Sequence, residues 1–265
     1  MLNASFFNYH RAKNFAIVTL LGLTSAFSDA APDISEKKSM QSSDNSPTQV
    51  NTDILSARQQ AIIPVAAFGA AGTIDKLNTA LGESLDAGLT VNEVKEVLIQ
   101  LYAYAGFPRS LNALGEMMKV LEKRKQQGIE DVPGHEPTQA IPEGSALLEA
   151  GTHNQTRLSG APVQGPLFDF APTINQYLRT HLFGDIFERD NLDWQSRELA
   201  TISMLSALQG VDAQIQAHMR IGMNTGLSAG QLRHLTQVLA ERVDEQSAQR
   251  AREALEKHLA TVAGK

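Results

Sequence analysis

Glu198 and His218, an acid and an imidazole, lie on apolar stripes of two neighbouring segments. Glu198 has helical spacing to Ile202, and His218 has it to Ile221 and Gly222. If both segments are helices packed in the core, the two side chains can form a pair shielded from solvent. Such a pair can transfer protons, because imidazole titrates near neutral pH and a carboxylate can orient it. The sequence predicts His218 as a general acid/base, with Glu198 orienting it or accepting the proton itself.

Each member of this pair has a structural alternative. His218 can be a core histidine that is hydrogen-bonded to a neighbouring helix, and Glu198 can form an internal ion pair with Arg197 or Arg220. Gly222 lies one turn after His218, where the missing side chain leaves space for a ligand. We therefore predict Gly222 as part of the substrate-binding surface.

Arg189 and Arg197 are the candidate ligands of a substrate carboxylate, since a guanidinium group matches a carboxylate with two parallel hydrogen bonds. Arginines more often form salt bridges at a surface or an interface, and that alternative stays open. No metal site is predicted, because the other histidines of this region lack the paired spacing of metal ligands. These histidines are His135, His153, His181, His234 and His258.

Two antiparallel helices over Leu192–Gly226 must position the acid and the imidazole. Asp193 is a suitable N-cap for the first helix, and Gly210 is placed to end it. Asp212 is a candidate cap for the second helix, and Gly226 can supply the left-handed residue that closes it. The pattern indicates a helical hairpin with Glu198 and His218 on its two arms.

The same order of caps and glycines occurs earlier in the chain, which indicates an internal duplication. The offset is 137 residues and becomes 138 after one insertion. The matched positions are Leu55 and Leu192, Ser56 and Asp193, Asp75 and Asp212, and the segments 88–90 and 226–228. We predict an all-α fold of two tandem repeats, residues 51–128 and 168–265, joined by a connection rich in proline and glycine at 129–167. A connection of this length is expected to lie across both repeats.

The ends and the composition limit the classes of function. Residues 1–30 have the pattern of a cleaved signal peptide, with basic residues before a 13-residue apolar run. This run is too short to cross a bilayer, which requires a helix of about 20 apolar residues. We expect an exported, periplasmic protein, with 31–50 as a flexible spacer; an uncleaved amino-terminal anchor is the alternative. The net charge of -6 argues against nucleic acid or an anionic membrane as partner, and the absence of cysteine opposes thiol peroxidase chemistry.

Several segments resemble the carboxymuconolactone decarboxylase family, whose wider superfamily includes the alkylhydroperoxidase D-type (AhpD-like) proteins. They are Gly184–Asp193, Arg197–Leu199, His218 and Gly226–Ser228, and in the first half Gly88–Val97 and Tyr104–Pro108. The resemblance implies a helical fold over residues 53–262 and removal of carbon dioxide from a small carboxylated lactone without metal or organic cofactor. Glu198 and His218 resemble the proton relay of the superfamily, and Tyr104 is placed to donate a hydrogen bond to a lactone oxygen or to pack at the turn.

Two departures from the family pattern limit what the resemblance implies. The acid expected four residues before His218 is Gln214, and the redox Cys-x-x-Cys of the superfamily is replaced at Val211 and Gln214. The first half lacks the acid and the histidine, and the second half lacks the Tyr-x-Gly-x-Pro block, so one composite site per chain is expected. The resemblance also implies a homo-oligomer, with a trimer favoured. The alternatives are a non-catalytic oligomeric binding module and, opposed by the missing cysteines, a peroxidase.

Overall fold

The computed structural model describes residues 53–264, which belong to a unit spanning Gln49–Lys265. The predicted signal peptide and spacer lie outside the described residues. Within 53–264 every regular element is a helix, which confirms the predicted all-α class. The first half contains α1 Ala57–Ala71, α2 Ile74–Asp86, α3 Val91–Gln100, α4 Tyr102–Ala105 and α5 Phe107–Gln126.

The second half begins with a helix, α6, that lies inside the predicted connection 129–167. Its elements are α6 Gly144–Ser159, α7 Pro166–Phe170, α8 Pro172–Tyr177, a π-helix Leu178–Ile186, α9 Trp194–Ser206, α10 Asp212–Asn224, α11 Ala229–Arg242 and α12 Glu245–Ala263. None of the helices in the described part of the chain has the length and apolar character needed to cross a membrane.

Local capping explains most of the helix starts. Ser56, Thr90 and Ser228 each form a capping box with the residue three positions later, and Asp193 accepts a hydrogen bond from the Ser196 backbone N–H. The predicted N-cap at Asp193 is confirmed. The predicted caps at Asp75 and Asp212 are wrong, because α2 and α10 begin at Ile74 and Asp212, so both acids lie in the first turn. There their charge stabilises the helix dipole without capping the helix.

Helices α1 and α9 form the centre of the molecule and pack against each other. Residues 61–70 of α1 and 196–206 of α9 are all buried. Each of the two helices contributes side chains to two apolar clusters. One cluster consists mainly of residues from the first half and the other mainly of residues from the second half. The polar residues of α9 are accommodated by hydrogen bonds to the preceding turn, as from the Ser203 Oγ to the Leu199 carbonyl at 2.7 Å.

The helix order supports the proposal of a duplication. Helices α1, α2 and α3 begin 137, 138 and 138 residues before α9, α10 and α11. The central pair α1 and α9 therefore consists of the first helices of the two proposed repeats. We keep the duplication as a proposal that rests on this order and on the matched capping residues.

The connection 129–167 is more structured than its composition suggested, because Gly144–Ser159 forms a helix that packs on the π-helix and α10. Its extended part contacts both halves: the Val91 N–H donates to the Val132 carbonyl at 2.9 Å, and the Thr138 N–H donates to Asp190 at 2.8 Å. The glycines that suggested a loop partly serve packing. At Gly151 a Cβ atom would lie 1.7 Å from the Arg179 carbonyl oxygen, so only glycine lets α6 approach the π-helix this closely.

Substituting Gly151→Ala should therefore destabilise the fold by about 3 kcal/mol or more, since backbone must move to admit the methyl group. Gly115→Ala is the matched control, because a Cβ there meets nothing within 4 Å and α5 should gain up to about 1 kcal/mol in helix propensity. Urea unfolding followed by circular dichroism measures both. Equal stability of the two variants would contradict the close crossing of α6 and the π-helix.

Candidate functional site

The predicted acid and imidazole meet in the core of the second half. The His218 Nδ1 lies 2.7 Å from the Glu198 Oε2, across the seam between α9 and α10. Glu198 is 0% exposed, whereas the His218 side chain keeps 10% of its surface accessible. Among the described residues Glu198 forms no ion pair with Arg197 or Arg220, so the alternative of an internal ion pair with an arginine is wrong.

The hydrogen bond fixes how the imidazole can act. An ionised carboxylate only accepts hydrogen bonds, so the contact requires a proton on the His218 Nδ1 when Glu198 is charged. The Nε2 is then the basic nitrogen of the neutral ring, and it becomes a donor when the ring is protonated. This geometry suits a general acid/base whose orientation is set by a buried carboxylate.

Tyr104, which comes from the first half, forms a wall beside the imidazole. Its ring contacts His218 edge to face, with 5.7 Å between the ring centroids and an interplanar angle of 80°. Burial raises the pKa of the Tyr104 phenol well above its ordinary value, and the negative charge of Glu198 raises it further. The phenol therefore stays neutral and keeps a proton to donate.

Two polar atoms at this place are buried without a hydrogen-bond partner among the described residues. They are the Glu198 Oε1 and the Tyr104 hydroxyl oxygen. The Thr201 hydroxyl lies close to Tyr104; it donates to the Arg197 carbonyl and accepts from the Gln100 Nε2, which leaves its second lone pair as the nearby acceptor for the phenol. Unpaired buried polar groups are rare and cost about 1–3 kcal/mol each, so a pair of them beside a histidine points to a site for a ligand.

Residues 172–257 match the model of the carboxymuconolactone decarboxylase family. The matched segment runs from α8 into α12 and contains both Glu198 and His218, which supports a family-level relationship for this part of the chain. The first half, including Tyr104, lies outside the match. No curated protein matches the chain.

Arg197 forms an ion pair with Glu96 inside the protein, so its guanidinium is not available to a substrate. Its guanidinium is 0% exposed and donates to the Glu96 Oε2 at 3.1 Å, to the Gln100 Oε1 at 3.2 Å and to the Arg189 carbonyl at 2.8 Å. Burial lowers the pKa of Arg197, and the charge of Glu96 opposes this. The geometry thus favours the salt-bridge alternative for Arg197.

Arg189 binds the same carboxylate from the other side. It contacts both Glu96 oxygens, with the Nε at 3.1 and 3.0 Å and an Nη atom at 2.6 Å. This fork is the bidentate contact that was predicted for a substrate carboxylate, but the protein supplies the carboxylate itself. Sequence reasoning missed Glu96 because it lies 101 positions from Arg197, where no local spacing connects the two.

Gly222, which was predicted to leave space for a ligand, is surrounded by protein side chains. A Cβ atom there would lie 3.4 Å from side-chain carbons of Ile202 and Leu227, so the glycine packs against apolar core residues. It allows α10 to approach its neighbours, and the space beside it is filled by the protein. Within residues 53–264, no group of three or more His, Asp or Glu side chains is arranged to hold a metal ion.

The carboxylate of Glu96 should be essential for stability. Burial alone would raise its pKa, but the hydrogen bonds from Arg189 and the charge of Arg197 lower the pKa below its ordinary value of 4.5. Glu96→Gln leaves the buried Arg197 uncompensated and should cost about 3–5 kcal/mol at neutral pH. The surface pair Glu83–Arg242 provides the control, since Glu83→Gln should cost about 1 kcal/mol or less.

The pH dependence of this loss has a defined sign. A carboxylate whose pKa is lowered by folding stabilises the fold above its unfolded pKa, and the contribution disappears as the pH falls through the folded value. The difference in unfolding free energy between the natural protein and the Glu96→Gln variant should therefore shrink below about pH 4.5. Denaturant unfolding over a pH series measures it, and a difference independent of pH would contradict the ion pair.

Proposed function

We propose that the protein is a carboxymuconolactone decarboxylase-like, cofactor-free lyase or proton-shift enzyme acting on a small carboxylated lactone or related organic acid. Glu198 and His218 are its acid–base pair. The observation that carries the proposal is the meeting of three groups at one place. These are an imidazole oriented by a buried carboxylate, an unpaired carboxylate oxygen, and a neutral phenol without a hydrogen-bond partner among the described residues.

These groups suit a reaction that passes through an enolate. When a carboxyl group leaves as carbon dioxide, the electron pair of the broken C–C bond moves onto the neighbouring carbonyl oxygen. The Tyr104 hydroxyl can donate a hydrogen bond to that oxygen, and the protonated His218 ring can then deliver its Nε2 proton to the carbon and take up another proton from water. Proton transfer by one positioned side chain supplies a rate factor of about 10²–10⁴.

An isomerisation of the lactone would use the same groups in a different order. The His218 Nε2 would remove a proton next to the carbonyl and return it to another carbon of the conjugated system, while Glu198 stabilises the imidazolium that forms in between. The family relationship favours decarboxylation, and the geometry supports both reactions. We therefore propose an enzyme that uses this acid–base chemistry, which decarboxylation and isomerisation share.

Substituting His218→Gln should lower kcat on carboxylated lactones by about 10²–10⁴-fold, since the amide cannot take up or release the proton. Tyr104→Phe should lower it less, by about 10-fold, because one hydrogen bond to the enolate is lost. Release of carbon dioxide and the ultraviolet absorbance of the lactone measure the two reactions. His258→Gln is the control, since this histidine lies in a groove between α10 and α12. Undiminished turnover by the His218→Gln variant would rule out the site.

A non-catalytic oligomeric module is the second candidate, and exposed apolar side chains support it. Helix α5 presents Leu111 and Met118 at 63% and 73% exposure, and α7 and α8 present Phe170 and Ile174 at 88% and 47%. Large exposed apolar patches are typical of protein interfaces. We propose a homo-oligomer, with a trimer favoured, for either function.

The double substitution Leu111→Ser and Met118→Ser should weaken self-association at least 10-fold, since burial of these side chains drives it. Light scattering over a concentration series measures the mass, and Val262→Ser, an exposed apolar residue of α12, is the matched control. A natural protein that is monomeric throughout the series contradicts the proposed oligomer. A defined oligomer that turns over none of the lactone acids would favour the module.

A further inference from the structure

A cavity of about 470 Å³ lies where the end of α6, the start of α9 and the end of α10 meet. Its lining includes a cationic side chain, Arg157, and an aromatic one, Trp194. The Arg157 guanidinium lies over the Trp194 ring, 4.7 Å from its centroid. This cation–π contact holds the cation beside the indole, and the guanidinium N–H groups donate no hydrogen bond to the residues that the structure describes, so they can bind a ligand.

Arg157 has no carboxylate within salt-bridge distance among residues 53–264. The acidic residue of the lining, Asp193, has other partners: its oxygens accept from the Ser196 backbone N–H at 2.9 Å and the Ser196 hydroxyl at 2.8 Å. Glu96 matches the charges of Arg189 and Arg197, whereas no carboxylate in the described part of the chain matches that of Arg157.

The amide side chains of this cavity hold its walls together. The Gln195 Nε2 donates to the Thr225 carbonyl at 3.0 Å, which joins the start of α9 to the end of α10. The Asn224 Nδ2 donates to the Leu158 carbonyl at 2.8 Å, which joins the end of α10 to α6. Each amide nitrogen uses one of its two N–H groups in this way, and the guanidinium of Arg157 is the cationic donor of the cavity lining.

The cavity lies along the same seam as the Glu198–His218 pair. Trp194 precedes Glu198 by four residues on one face of α9, about 6 Å along the helix, and Thr225 follows His218 by seven residues on α10, about 10 Å. Ile221 lies between His218 and the cavity, and it packs with Trp194 in one apolar cluster. An anionic group held by Arg157 would thus be about one to two helical turns from the imidazole.

We propose that Arg157 binds the carboxylate of the organic acid substrate in this cavity, with Trp194 as the apolar wall beside it. The inference rests on the proposed function and deepens it, because it supplies the substrate-binding cation that Arg189 and Arg197 do not provide. A guanidinium with a free edge binds a carboxylate by two parallel charge-assisted hydrogen bonds. Arg157 is accordingly a determinant of specificity for acids over neutral lactones.

The chain contains one tryptophan, so its fluorescence reports directly on this cavity. The probes are muconolactone, an unsaturated lactone with a free carboxylate, and its methyl ester, which has the same ring without the charge. The natural protein should show a saturable change of tryptophan fluorescence with the acid and bind the ester at least 10-fold more weakly. Equal affinity for acid and ester, or no change with either probe, would overturn the proposal.

Variants separate the role of the charge from that of the fold. Arg157→Gln should weaken binding of the acid at least 10-fold and remove the preference over the ester, and Arg157→Lys should lie between. Arg220→Gln is the matched control, since this arginine lines the other groove, between α10 and α12, and binding should equal that of the natural protein. An Arg157→Gln variant with the natural affinity and a natural circular dichroism spectrum would exclude the cavity as the carboxylate site.

The same measurements distinguish this inference from the proposed function. Binding that depends on Arg157 in a protein that turns over no lactone would retain the cavity and reject the catalytic proposal. Turnover that depends on His218, with KM unaffected by Arg157→Gln, would retain the enzyme and reject the cavity. If both proposals hold, Arg157→Gln raises KM at least 10-fold with kcat little changed, and His218→Gln lowers kcat while the acid still binds.

Discussion

The buried ion pair between Arg197 and Glu96 fixes the central helix of the molecule. Two charges inside a protein are costly unless they are paired and hydrogen-bonded, and here Arg189, Gln100 and a backbone carbonyl add hydrogen bonds to the pair, while the Arg197 Nε has no partner among the described residues. Successive residues of a helix point about 100° apart, so the rotation that directs Arg197 toward the first half also directs Glu198 toward α10. The position of the proposed acid, Glu198, therefore depends on an ion pair between two other residues.

The acid–base pair and its surroundings show a division between the halves. Glu198 and His218 come from the second half, whereas Tyr104 and the carboxylate that anchors α9 come from the first. The Glu198 Oε1 and the Tyr104 hydroxyl are left unpaired in the part of the chain that the structure describes, although their burial is costly. These unpaired groups beside the imidazole are the observation that supports the proposed substrate site.

Much of the fold could be predicted from the sequence because its signals are local. Capping boxes at Ser56, Thr90 and Ser228 depend on residues three positions apart, and the stripes that carry Glu198 and His218 depend on helical spacing. Long-range partners have no such signal, so the capture of Arg189 and Arg197 by Glu96 was not predicted. Helix α6 was not predicted because the proline and glycine content of 129–167 favours a loop, whereas Gly151 permits a close helix crossing.

The protonation of the His218 ring tests the central claim most directly. If Glu198 orients the imidazole for acid–base chemistry, the neutral ring carries its proton on Nδ1 and leaves Nε2 basic. Nitrogen-15 NMR of histidine-labelled protein, with the resonance assigned by its loss in His218→Gln, distinguishes the two tautomers. The account predicts the Nδ1–H tautomer in the natural protein and its loss in Glu198→Ala. An Nε2–H tautomer in the natural protein would contradict it.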